Sequence, residues 1–169
     1  MQKIRIIAEV GENHLGDIEI ARRLVKSAHR AGADFVKFQS YDYRDLDKSV
    51  DEEIVNSIKK TQIRKEDHIV LKEICDNLDI EFLSTPVNVY WAKFLKEIGC
   101  KKVKVASLSL ANEKLLSFVG EEFEEVFLST GMGTIEEIKK AINIVNNKKT
   151  TVFHCVSNYP VRDNQAQLQ

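Results

Sequence analysis

Lys37 and Gln39 stand two residues apart in the stretch FVKFQS, and Lys104 lies between two valines in KVKVAS. Alternation along a strand puts Lys37 and Gln39 on the same face. A lysine in an apolar strand loses hydration, and a phosphate or carboxylate ligand would restore a partner for its charge. Two lysines on separate strands, with hydroxyls and turn amides beside them, therefore suit an anion site. Each lysine also has a plainer reading: its stem can carry the ammonium out to water, or it can pair with Glu9 as a structural bridge.

Other polar residues close each apolar run in the same way. Glu9 follows IRIIA, Ser84 and Thr85 follow IEFL, Ser107 follows KVKVA, Ser129 and Thr130 follow EVFL, and His154 and Ser157 close the last run. A single hydroxyl in such a place more simply satisfies turn backbone. Glu9, at the mouth of a sheet, suits proton transfer or a lysine partner equally.

GENHLGD, with Glu12, Asn13 and His14 between glycines, reads as a strand-to-helix turn. His154 reads as a satisfied core histidine, His29 and His68 as helix-surface residues, and Trp91 and the phenylalanines as core. Cys75, Cys100 and Cys155 form no CxxC pair, so neither a disulfide framework nor a structural zinc site is expected, and all three read as buried thiols.

The elements that must hold these residues alternate. Six short β-branched runs are separated by segments with helical periodicity: Ile20, Ala21, Leu24, Val25 and Ala28 share one face, as do Val70, Leu71, Ile74, Cys75 and Leu78, and Ile135, Ile138, Ala141, Ile142 and Val145. Asp17 and Asn88 are expected N-caps, Thr134 with Glu137 a capping box, and Gly32 and Gly99 helix stops. Strands alternating with helices run parallel through right-handed crossovers. Six strands and five helices are expected, with residues 42 to 66 forming a long charged loop that carries a short helix near Glu52 to Lys60. In such α/β folds reacting groups gather at the carboxyl ends of the strands.

Composition narrows the function classes. Lys and Arg total 25 against 26 Asp and Glu, interspersed along the chain, which leaves no electrostatic footprint for nucleic acid. No apolar run has the length of a membrane span or a secretory signal, so a cytoplasmic location is expected.

The blocks IAEVGENHLGD, AGADFVKFQSY, FLSTPVN, KVKVAS, LSTGMGTIEEIKKAI and HCVSNYP, in this order along almost the whole chain, resemble the sialic acid synthase family, meaning N-acetylneuraminate synthase and its relatives. The resemblance implies a (β/α)8 TIM barrel that condenses phosphoenolpyruvate with an N-acetylmannosamine-like aldehyde and releases phosphate, with a manganese or magnesium ion as cofactor. It places Lys37, Thr85, Lys104, Ser107, Ser129 and Ser157 around the donor's carboxylate and phosphate, Gln39 and Tyr159 toward the sugar, and Glu9 in proton handling.

Two departures from the family pattern stand out. Ser109 occupies a position where the family carries an acid, and a hydroxyl cannot shuttle protons as a carboxylate does at neutral pH. The chain is expected to be a partial synthase domain over residues 1–169, lacking the last two βα units with their metal-binding histidines and the C-terminal antifreeze-like domain. His14 and His154 are not expected to replace those ligands. The unpaired outer strands then call for a homodimer or a complementing chain. A non-catalytic barrel fragment and a synthase of 3-deoxy-keto acids are the competing readings.

Overall fold

The computed structural model describes residues 4–47, 49–146 and 149–168. Strands and helices alternate: β1 (Ile7–Glu9), α1 (Ile18–Arg30), β2 (Phe35–Ser40), α2 (Glu52–Thr61), α3 (Lys65–Leu78), β3 (Glu81–Pro86), α4 (Val89–Glu97), β4 (Lys102–Val105), α5 (Glu113–Glu122), β5 (Glu125–Ser129), α6 (Ile135–Val145) and β6 (Thr150–Phe153). Short 3-10 turns cover Tyr43–Asp45, Ser107–Ser109 and Asp163–Gln165. The expected five helices are joined by α2, the short helix of the long loop, which makes six among the described residues. Its terminus docks on the first loop, where Gly16 approaches the Lys60 carbonyl too closely for any side chain.

Capping explains where the helices begin and end. Asp17 accepts from the amides of Glu19 and Ile20, Asn88 from that of Trp91, and Asn112 from that of Leu115, while Thr134 and Glu137 form the reciprocal box. Gly32 and Gly99 follow α1 and α4 with left-handed backbone, as helix stops require.

The strands form two parallel sheets, β1-β2-β3 and β4-β5-β6, with β3 and β4 side by side. Their outer face carries Val36, Phe38, Phe82, Val103, Val105, Val126 and Leu128 into the main core with the helices. Ala21, Val25 and Ala28 meet it from α1, and Ala141 and Val145 from α6. Ile135 and Ile142, expected on that same face of α6, are instead 62% and 37% exposed.

The inner face holds a second cluster, Phe35, Leu83 and Phe127 with Ile7 and Phe153. The Phe35 and Phe127 rings meet edge to face at 5.4 Å. Their strands, β2 and β5, are three positions apart, roughly 14 Å along a flat sheet. Side chains stand perpendicular to a sheet, so this contact requires the strands to curl into a trough.

Charged pairs floor the trough at the amino ends of the strands. Arg5 binds Glu125 through two hydrogen bonds of 2.9 and 2.7 Å while its guanidinium lies over Phe127, and Lys102 pairs with Glu81 at 2.6 Å. The opposite end of the trough is thereby left for the polar residues at the carboxyl ends.

His68 is not on a helix surface. It is fully buried beneath α3, where Nε2 shares a 2.9 Å hydrogen bond with Ser40, which in turn meets the Ser84 hydroxyl at 2.7 Å. Ser84, taken from the sequence as a mouth residue, thus points to the outer core, because it is out of phase with Leu83 and Thr85.

Candidate functional site: a polar mouth with two buried lysines

Alternation delivers Glu9, Lys37, Gln39, Thr85, Lys104 and Ser129 to the inner face, above the aromatic cluster. Lys37 and Lys104 are only 6% and 8% exposed. The Lys37 ammonium donates to Glu9 Oε1 at 3.0 Å and to the Phe38 carbonyl at 3.3 Å, and it lies 2.9 Å from Glu9 Oε2 in the same ion pair. Burial lowers its pKa, and the charge of Glu9 and its hydrogen bond oppose that shift.

Lys104 has no carboxylate of its own among the described residues. It donates to the Ser129 hydroxyl and to the Val105 carbonyl, and it faces the Phe153 ring at 5.1 Å. Burial, and next the nearby charge of Lys37, push it down to about 8. The two ammonium groups therefore feel one another, and the charge of Glu9 acts on both.

Around the lysines the hydroxyls divide between strand ends. Thr85, beside Gln39 in the register, has a buried oxygen with no hydrogen-bond partner among the described residues. Ser107, just past β4, accepts the Gly131 amide at 3.0 Å, and a carbon placed on Gly131 would lie 2.5 Å from the Ser157 oxygen. The loop at Gly11 brings Glu9 and Gln39 together in the same way. Ser109 is buried in its 3-10 turn.

The structure therefore gathers eight of the nine residues singled out by the sequence. Tyr159 is the exception, with its side chain 97% exposed. His154 is also misplaced by the sequence reading: it is exposed, with Nε2 3.0 Å from the Ala166 carbonyl, because β6 ends at Phe153 and the chain leaves the strand there.

Two neighbours of the site escaped the sequence reading. Cys155 is half-buried beside the mouth, unlike the buried Cys75 and Cys100. Burial raises its thiol, but the Ser129 hydroxyl, the Thr130 and Gly131 amides and the Lys104 charge outweigh that and hold it below the usual range. Gly131 is the other neighbour, and the signal for it lay in the closely spaced glycines of STGMG.

No three His, Cys, Asp or Glu side chains stand together as a metal-binding group among the described residues. Glu9, engaged by Lys37, is the one carboxylate of this mouth among the described residues, too few ligands to hold a divalent ion by themselves. No described helix is long and apolar enough to cross a membrane.

Residues 24–169 match the model of the NeuB family. The chain belongs to that family. It is 32% identical, over 187 aligned positions covering all of this chain and 56% of the relative, to the N,N'-diacetyllegionaminic acid synthase of Campylobacter jejuni. A solved N-acetylneuraminic acid synthetase of Leptospira borgpetersenii, in complex with citrate, superposes with a TM-score of 0.92 at 34% identity, covering 98% of this chain and 59% of that one. An uncharacterised protein of Methanocaldococcus jannaschii is 38% identical over 92% of this chain and 47% of its own length. This NeuB chain spans about half the length of the curated relatives it matches.

Proposed function

We propose that the polar mouth binds phosphoenolpyruvate and serves a synthase that condenses it with an N-acetylmannosamine-like sugar into a sialic-acid-type nonulosonate. The observation that carries this is the pair of buried lysines with, among the described residues, one carboxylate, Glu9, which binds Lys37 and leaves Lys104 without an ion-pair partner. Such a site has a charge deficit that a doubly acidic ligand repairs.

In this reading Lys104 and Lys37 hold the donor's carboxylate and phosphate. Ser107, Ser129 and Ser157 donate to their oxygens, and the unpartnered Thr85 hydroxyl finds an acceptor there. Gln39, one turn of alternation above Lys37, faces the incoming sugar. Glu9 fixes the Lys37 ammonium and, once the ligand's anions take over that role, is freed to accept or return a proton. A carbon–carbon bond forms between the enol carbon and the aldehyde. Water then adds at the phosphate-bearing carbon, and the carbon–oxygen bond breaks with loss of inorganic phosphate.

The trough is then six strands of an eight-stranded barrel, and residues 1–169 are a partial synthase domain. We assign the remaining strands, the metal-binding histidines and the antifreeze-like domain of the family to further sequence or to a complementing chain, with homodimer contacts of the same origin.

Phosphate release is the test, with phosphoenolpyruvate, N-acetylmannosamine and manganese supplied together. Release that depends on the sugar supports a synthase. Stabilisation by phosphoenolpyruvate without release assigns this chain a binding role only, a reading that Ser109 in place of an acid favours.

A further inference from the structure

Gly131 follows β5 by two residues, and its backbone does not explain its identity. Its φ lies outside the left-handed region that favours glycine, in contrast to Gly11, Gly16, Gly32 and Gly99. The space around it does. A methyl carbon there would lie 2.5 Å from the Ser157 oxygen, 2.9 Å from the Ser107 oxygen and 3.4 Å from the Cys155 Cβ. The first two distances are far inside van der Waals contact.

We propose that Gly131 is a positioning residue that lets hydroxyls from the β4 and β6 ends converge over β5 as one oxyanion cradle. The Gly131 amide donates to the Ser107 oxygen at 3.0 Å, which occupies one of that oxygen's lone pairs and leaves the hydroxyl proton to point at a ligand. Ser157 is exposed on its other side and lies over the same Cα. Lys104, bonded to Ser129 on the same strand end, supplies the positive charge beneath them. The ligand class is a phosphate or carboxylate group, so the inference rests on the anion-site reading and adds the residue on which its geometry depends.

The obstructing atoms are the tips of two serines, which can turn about χ1 to make room. An added methyl should therefore leave the fold intact and swing both donors away. That separates positioning from folding.

The test compares wild type, Gly131→Ala, Ser157→Ala and the double variant by calorimetric titration with phosphoenolpyruvate, with melting temperature measured alongside. Gly131→Ala is expected to melt with wild type and to bind about tenfold or more weakly, as loss of hydrogen bonds to a charged group implies. The double variant should bind no more weakly than the worse of the two singles, since Gly131→Ala already displaces the donor that Ser157→Ala removes. Wild-type binding with an unchanged Gly131→Ala affinity would overturn this inference alone. Losses that simply multiply in the double variant, or a Gly131→Ala protein that melts far below wild type, would also overturn it. Absence of binding by wild type would remove the anion-site reading and this inference with it.

Discussion

Lys37 holds Glu9 in a salt bridge of 2.9 Å, whereas Lys104, close enough to feel the charge of Lys37, leans among the described residues on neutral oxygens and an aromatic ring. The asymmetry makes Lys104 the more burdened of the two cations and gives it the larger gain when an anion arrives.

Replacing Lys104 by Met exchanges a buried cation for a side chain of similar length. The fold should be kept, and the melting temperature should equal or exceed that of wild type, because a desolvation penalty disappears. Thermal denaturation checks this. A melt several degrees lower would mean that Lys104 serves the fold.

Lys104 also sets a pH dependence. Its folded pKa, about 8, lies below the value of an unfolded lysine, so the folded state holds fewer protons between about pH 8 and 10.5. Stability contributed by this group should therefore rise with pH across that window, by roughly 3 kcal/mol. Affinity for an anionic ligand should move the other way and weaken above pH 8, as the free protein loses the charge. Titrations at pH 7 and 9 check the crossing of the two trends.

His68 shows the opposite end of the scale. Burial pushes its pKa down to about 4, with the Arg64 and Gln39 backbone pulling weakly the other way. The neutral ring is the folded form, so its contribution is complete above about pH 6.5 and is lost as pH falls toward 4. Denaturant midpoints should drop over that range by an amount equivalent to roughly 3 kcal/mol. A His68→Leu protein, which cannot titrate there, should show a flatter profile from a lower plateau, since Ser40 loses its partner.

Thiol chemistry separates the three cysteines. Burial pushes Cys75 and Cys100 up to about 12, while the donors around Cys155 hold its thiol low. Iodoacetamide should label Cys155 first in the native protein, as peptide mass spectrometry would show, and an anion bound beside it should slow the reaction. Equal labelling of all three would contradict the described environment.

Much of this architecture was legible in the residues themselves. Two-residue alternation put Lys37 and Gln39 on one face, and the caps at Asp17, Asn88 and Thr134 marked helix starts that the structure reproduces. Local pattern ran out where partners come from distant sequence. Whether Ser84 faces the mouth or the core depends on phase within a short strand, and the burial of His68 depends on how α3 lies over β2 and β3. Cys155 and His154 were misread because β6 stops at Phe153 and the following residues no longer alternate. The role of Gly131 needed three strand ends in view at once.

Calorimetric titration of phosphoenolpyruvate into wild type and Lys104→Met at pH 7 tests the central claim most directly. The expected result is saturable binding by wild type that falls at least a hundredfold in the variant, with both proteins folded. Equal affinities for the two proteins, or none for wild type, would contradict the assignment of this mouth as an anion site.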